Sequence, residues 1–102
     1  MDPAKQRRLE AAGWRVGTAA EFLKLSPEES AYVEMKFLLS RRLRDARLKE
    51  GLTQAELAER LGSSQSRVAK MEAGDRSVSI DLLLRALLHM GLSPRQIARV
   101  IG

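Results

Sequence analysis

The chain has 102 residues, which is enough for one compact domain with a modest core and too few for two. Hydrophobic residues make up 44% of it and aromatic residues only 4%, so the core must be built from Leu, Ala, Val, Ile and Met, which suit helices better than sheets. The chain has no cysteine, which excludes disulfides, zinc-thiolate sites and cysteine nucleophiles. We therefore expect an all-α protein.

The charge balance is basic, with 18 Lys and Arg residues against 13 Asp and Glu residues and a net charge of +5. A basic excess on a small domain is typical of a protein with a polyanionic partner. The need for solubility explains the same excess equally well. No apolar segment follows the basic residues at the N-terminus, so we expect neither a signal peptide nor a membrane span, and hence a cytoplasmic protein.

The N-terminal residues 1–17 contain two glycines and several Lys, Gln and Arg residues, a composition that predicts a poorly ordered arm. Whether Trp14 and Val16 dock onto the body is left open by the sequence. Beyond the arm, helix starts are marked by Ser or Thr with Glu or Gln three positions later, the reciprocal capping-box pattern. The pairs are Thr18 with Glu21, Ser26 with Glu29, Thr53 with Glu56, and Ser93 with Gln96.

Helix ends are marked by glycines, which adopt the left-handed conformation that closes a helix, at Gly51, Gly62, Gly74 and Gly91. Together these signals predict helices at residues 19–24, 27–50, 54–61, 65–73, 80–90 and 94–101. Apolar residues three and four positions apart predict one buried stripe per helix. The predicted core residues are Met35, Leu39, Leu43, Leu48, Leu57, Leu61, Val68, Met71, Leu83, Leu84, Leu87, Met90, Ile97 and Ile101.

Residues 53–74 form the most distinctive segment, in which a short helix, a tight turn at Gly62 and a second short helix follow one another. Ala58 lies where two crossing helices need a small side chain. The second helix has Ser64 as its predicted N-cap and no acidic residue in its first turn, where a carboxylate would normally stabilise the helix dipole. Such a helix start is suited to approaching phosphates and base edges.

The first turns of this second helix carry four polar side chains: Gln65, Ser66, Arg67 and Lys70. Glutamine can pair bidentately with adenine, and arginine with guanine, in the DNA major groove. Gln65 and Arg67 are therefore the natural candidates for reading bases.

Residues 53–74 resemble the helix-turn-helix of the Cro, XRE and phage-repressor family. The matching residues are Thr53, Gln54, Glu56, Leu57, Ala58, Gly62, Ser64, Gln65, Val68, Met71, Glu72 and Gly74. With its flanking helices the resemblance covers about residues 39–101. It implies a five-helix repressor-like DNA-binding domain with an added N-terminal helix, in which the helix at 65–73 enters the major groove.

The resemblance also implies roles for individual residues. Those expected to face the groove are Gln65, Ser66, Arg67 and Lys70, and those expected to contact phosphates are Arg42, Gln54, Ser64, Arg76 and Ser77. Gln54 would also brace the recognition helix, and Ser79 either joins the phosphate-contacting loop or only caps the next helix. Arg47 is expected to pair with Glu72, since a carboxylate near a helix C-terminus is disfavoured unless a cation offsets it.

The segment from Trp14 to Glu29 resembles the N-terminal extension of HigA-type antitoxins, which implies a cognate toxin as partner. The alternative is a stand-alone repressor that uses the same segment for dimer contacts. The predicted organisation is thus a flexible arm at 1–17, a helical extension at 18–38 for dimer or partner contacts, and a DNA-binding domain at 39–102.

An enzyme is difficult to build from these residues, because catalysis needs titratable groups that converge in a pocket. The only histidine, His89, lies late in an apolar helix and is expected to be partly buried and structural. The carboxylate pairs Glu28 with Glu29 and Glu56 with Glu59 are expected to be solvated or capping. No motif suggests a cofactor, a metal or a small-molecule effector.

A protein-binding adaptor that uses the helix-turn-helix for packing is the main competing hypothesis, since the Leu-rich helix at 80–90 could bind a partner. The polar and basic recognition helix favours DNA. We therefore expect a repressor that binds a palindromic operator as a homodimer. The two protomers of the dimer would contact each other through residues 18–40 or through the last helix.

Overall fold

The computed structural model describes residues 25–102, and its helices are α1 (Pro27–Lys49), α2 (Gln54–Leu61), α3 (Gln65–Ala73), α4 (Ile80–His89) and α5 (Pro94–Ile101). No strand occurs in this range, so the prediction of an all-α fold is confirmed. Predicted and observed helix bounds agree within one residue. The predicted arm at 1–17, the predicted helix at 19–24 with its Thr18–Glu21 box, and Trp14 and Val16 lie outside the described residues.

Side-chain caps fix where the helices begin. At α2, the Thr53 amide donates to Glu56 Oε1 at 2.9 Å and the Glu56 amide donates to Thr53 Oγ1 at 3.0 Å. The same reciprocal bonds join Ser93 and Gln96 at α5. These bonds satisfy amides that have no partner within the helix, so each helix starts at a defined residue.

The short helices α2 and α3 each end at a glycine in the left-handed region, with φ of 65° at Gly62 and 68° at Gly74. After Gly62 the chain turns at once, and the Ser63 amide donates back to the Ala58 carbonyl at 2.8 Å. The tight turn between α2 and α3 therefore depends on a conformation that is costly for residues with a Cβ.

The chain separates into two compact units, with the boundary between Glu34 and Met35. The unit Met35–Gly102 contains an apolar core to which all five helices contribute. Ala58 is buried in it, as a close helix crossing requires. Two loop residues, Val78 and Leu92, join the core although helical periodicity did not indicate them. The buried apolar residues are Leu39, Leu43, Ala46, Leu57, Ala58, Val68, Met71, Val78, Leu83, Ala86, Leu87, Leu92 and Ile97.

Three burial predictions were wrong. Leu48 is 53% exposed, because the buried position of that helical turn is occupied by Arg47. Ile101 is 38% exposed and is the last helical residue of α5. His89 is exposed rather than partly buried, although it lines a shallow cleft with Met71 and Ala86. Four other predicted core residues are only partly buried: Met35, Leu61, Leu84 and Met90.

Within residues 25–102, no helix is both long enough and apolar enough to cross a membrane.

Candidate nucleic-acid interface

Helix α3 presents a polar side to solvent and an apolar side to the core. Its N-cap is Ser64, whose hydroxyl accepts from the Arg67 amide at 3.2 Å, and its first turn contains no acidic residue. Val68 and Met71 are buried. The sequence-predicted groove-facing residues Gln65, Ser66, Arg67 and Lys70 are all exposed.

A cleft of about 340 Å³ runs along one side of α3, between this helix and the loop that follows it. We call it the loop-side cleft; it is lined by Ser64, Ser66, Arg67, Lys70, Ser77, Val78 and Leu82. Its two charged residues are both cations, and three hydroxyl groups accompany them. This cleft is therefore suited to an anionic ligand.

The expected Arg47–Glu72 ion pair is present and joins α1 to α3. Arg47 Nε donates to Glu72 Oε2 at 2.6 Å, and Nη2 donates to Oε1 at 3.0 Å. The pair is well shielded, with 11% of the Arg47 side chain and 4% of the Glu72 side chain exposed. Arg47 Nη1 also donates to the Leu52 carbonyl at 2.8 Å, so the guanidinium is well supplied with acceptors.

A short hydrogen-bond chain extends from this pair to the surface of α3. Gln54 Nε2 donates to Glu72 Oε1 at 3.2 Å, and Gln65 Nε2 donates to Gln54 Oε1 at 2.8 Å. Each amide group has two donors and an acceptor, so Gln65 keeps a second N–H and its oxygen for a base edge. The sequence indicated that Gln54 braces α3, but it did not indicate the bond to Gln65.

The loop after α3 has its own internal hydrogen bonds. Asp75 Oδ1 accepts from the Ser77 hydroxyl at 2.7 Å and from the Ser77 amide at 2.9 Å. These two bonds, the hydroxyl foremost, hold the pKa of Asp75 below its usual range. A phosphate contact by Ser77 would have to displace this carboxylate. Ser79 accepts from the Leu82 amide at 3.1 Å and so caps α4, while Arg76 is exposed.

A second polar cleft, of about 250 Å³, lies between α1 and α3. We call it the α1-side cleft; it is lined by Arg44, Arg47, Gln54, Ala69, Glu72 and Ala73. The resemblance implies a phosphate contact at Arg42 on α1. Arg42 is half-buried and lines neither cleft, whereas Arg44 is exposed and lines the second.

The carboxylates considered for catalysis serve a cap or lie exposed. Glu56 serves the α2 capping box, where hydrogen bonds from the Thr53 amide and then the Thr53 hydroxyl lower its pKa. Glu28 and Glu29 lie exposed in the first turn of α1. In the part of the chain that the structure describes, no three His, Cys, Asp or Glu residues are grouped so that they could hold a metal ion.

Comparison with known proteins gives one match. A family model described as helix-turn-helix, of the XRE type, matches residues 43–97, which is more than half of the chain. The matched range contains α2, the turn at Gly62 and α3, and it begins after the segment that resembles HigA-type antitoxins. No curated protein and no solved structure shows significant similarity to the chain.

Proposed function

The chain belongs to the XRE type of helix-turn-helix family and is a DNA-binding transcription regulator, and from this premise we propose that it is a sequence-specific repressor. Helix α3 is the recognition helix and lies in the major groove of a palindromic operator. The observation that carries this proposal is the exposed side of α3, where amide, hydroxyl, guanidinium and ammonium groups lie together and no carboxylate intervenes.

The base-reading residues are Gln65, Ser66, Arg67 and Lys70. Arg67 matches the two acceptors of guanine, and Gln65 matches the acceptor and donor of adenine. The bond from Gln65 to Gln54 supports this assignment, because a side chain already held in place loses less conformational entropy when it meets a base.

The phosphate-contacting residues are Arg42, Gln54, Ser64, Arg76 and Ser77. Ser64 stands at the N-terminus of α3, where backbone N–H groups and the helix dipole also favour an anion. Arg76 is exposed and forms no ion pair among residues 25–102. These contacts fix the position of the protein on the duplex, whereas the base contacts specify the sequence.

The proposed regulator is a homodimer, because one recognition helix reads only a half-site and two helices related by a twofold axis read a palindrome. In this proposal residues 39–102 form its DNA-binding domain, and residues 18–38 make dimer or partner contacts. A dimer on its operator represses by occupying the promoter. Its place of action is the cytoplasm, because that is where such a regulator meets the DNA.

An antitoxin role is the narrower form of the proposal and is supported by the resemblance of residues 14–29 to HigA-type extensions. It predicts that a protein encoded beside this chain arrests growth when expressed alone. Co-expression with this chain should then restore growth. Normal growth when the neighbouring protein is expressed alone would contradict the antitoxin role and favour a stand-alone repressor.

Selection from randomised duplex DNA tests the central proposal. Purified protein is mixed with the pool at low salt, and the retained duplexes are sequenced. We expect an enriched palindrome whose half-sites lie about one helical turn apart. If no sequence is enriched, sequence-specific recognition by this protein alone is wrong. The helix-turn-helix then acts as a protein-binding adaptor, or the protein binds DNA only together with its partner.

A further inference from the structure

Helix α3 is flanked by two clefts of different composition. The loop-side cleft has Arg67 and Lys70 of α3 itself on its wall. On the α1-side cleft, α3 contributes the short side chains of Ala69 and Ala73 together with the paired Glu72. On this side α3 therefore contributes no cation of its own.

The charge of the α1-side cleft comes from a single residue. Arg47 and Glu72 neutralise each other through two hydrogen bonds, and Gln54 is uncharged. Arg44 is exposed and forms no ion pair among residues 25–102. The cleft thus carries one net positive charge, held by Arg44 one helical turn before Arg47.

The width of the DNA major groove allows both clefts to contact the same duplex. The major groove is about 12 Å wide and an α-helix with its side chains is about 10–12 Å across, so a helix in the groove has a phosphate backbone close to each side. One backbone meets the loop after α3 with Arg76 and Ser77, while Arg67 and Lys70 on the same side reach the base edges. The other meets the α1-side cleft, where Ala69 and Ala73 leave room for it.

We propose that Arg44 is a further phosphate-contacting residue, which binds the DNA strand on the α1 side of the recognition helix. This inference rests on the proposed function and adds to it a residue outside the helix-turn-helix itself. The flexible arginine side chain reaches from α1 across the cleft, and its guanidinium suits a phosphate. The two strands of one groove are then held by cations on both sides of α3.

The test compares wild-type protein with three variants: Arg44→Gln, Arg44→Lys and Lys49→Gln. Lys49 is a matched control, because it is also an exposed cation on α1 but lies about 140° around the helix from Arg44 and lines neither cleft. Binding is measured over a range of salt concentrations on the selected duplex and on an unrelated duplex of equal length. Unfolding midpoints confirm that each variant is folded.

We expect Arg44→Gln to make the slope of log K against log salt shallower by about 1.8 on both duplexes, because each protomer of the bound dimer loses one phosphate contact worth about 0.9. Arg44→Lys should keep the wild-type slope, and so should Lys49→Gln. In addition, ethylation of one phosphate per half-site should weaken the wild-type protein and leave Arg44→Gln unaffected.

An unchanged slope for Arg44→Gln, while the wild-type protein binds, overturns the role of Arg44 and leaves the proposed function standing. A loss confined to the selected duplex, with altered preference at one base pair, also overturns it, because Arg44 then reads a base. If the wild-type protein binds neither duplex, the proposed function fails first and this inference fails with it.

Discussion

Arg67 is the residue on which base discrimination depends most in the proposed complex. Its side chain is exposed, while its amide donates to Ser64, a bond that alanine preserves. We expect Arg67→Ala to lose about 1–3 kcal/mol of binding free energy and to relax the preference at one base pair, because a bidentate contact to guanine is lost. Affinities for a panel of single base-pair variants of the selected duplex measure this.

Arg76→Ala is the control for Arg67→Ala. As a phosphate-contact variant it should weaken all duplexes of the panel alike. An equal loss on every duplex for Arg67→Ala as well would contradict its assignment as a base reader.

The Arg47–Glu72 pair makes a prediction about stability. Glu72→Leu leaves a shielded guanidinium without its carboxylate, so the free energy of unfolding should fall by about 3–5 kcal/mol. Replacing both partners, as Arg47→Met with Glu72→Leu, should recover much of that loss, because no buried charge is then left unpaired. Urea denaturation of the three proteins measures both effects.

The double variant separates stability from function. Gln54 loses its acceptor Glu72, and through Gln54 the side chain of Gln65 loses its anchor. DNA affinity should therefore remain reduced in the double variant although stability returns. If the double variant is as unstable as Glu72→Leu, the unpaired charge is not the cause of the loss.

At the residue scale, the sequence predicted partners best where a general rule demands one. A carboxylate such as Glu72 near a helix C-terminus favours a cationic partner, the family resemblance implies that this partner is Arg47, and the structure shows the pair. The bonds from Gln65 to Gln54 and from Ser77 to Asp75 depend on side-chain rotamers in the folded chain, which no spacing in the sequence specifies. For the same reason, the position of Arg44 beside α3 could be found only in the structure.

At the element scale, helix bounds could be predicted because each start and stop has a local chemical signal. The capping pairs at Thr53 and Ser93 and the left-handed Gly62 and Gly74 act within a few residues of themselves. Burial is less local. Val78 and Leu92 lie in loops outside any helical period, and only the packing of neighbouring helices places them in the core.

The turn between α2 and α3 gives a prediction at Gly62. A Cβ added there meets no other atom within 4 Å, so the cost of Gly62→Ala comes from the backbone, whose φ is 65°. We expect a loss of about 1–2 kcal/mol in the free energy of unfolding. Gly62→Asn should lose less, since asparagine tolerates this conformation, and an equal loss for both would contradict the explanation. Chemical denaturation measures the difference.

The α2 capping box makes stability depend on pH through Glu56. Hydrogen bonds from Thr53 lower the pKa of Glu56 in the folded chain, so its carboxylate stabilises the fold at pH values above the ordinary glutamate pKa of about 4.3. This contribution is lost as the pH falls through the lowered folded pKa. Glu56→Gln keeps an acceptor oxygen and does not titrate, so its stability should fall less between pH 6 and pH 3.

The α5 capping box is the matched control for this effect, because its third helical position is Gln96. Gln96→Glu should add acid sensitivity that the wild-type box lacks. Urea midpoints at several pH values measure both variants. If Glu56→Gln loses stability with acid as steeply as the wild type, Glu56 does not contribute in this way.

At the scale of the whole molecule, the helix order followed from the caps and glycines along the chain, and the helix-turn-helix family followed from residues 53–74. The distribution of charge did not follow. A net charge of +5 only favours an anionic partner, whereas the fold divides four cations, Arg44, Arg47, Arg67 and Lys70, between two clefts flanking α3. That division depends on how α1 crosses α3, which is a property of the packed molecule.

The most direct test of the central claim is an NMR titration of the full-length protein, labelled with ¹⁵N, against the selected duplex at low salt. We expect the largest amide shifts on residues 64–70, further shifts around Arg44 and residues 76–79, and saturation at two chains per duplex. Shifts confined to α4 and α5, or no shifts at all, would contradict the claim that α3 is the helix that reads DNA.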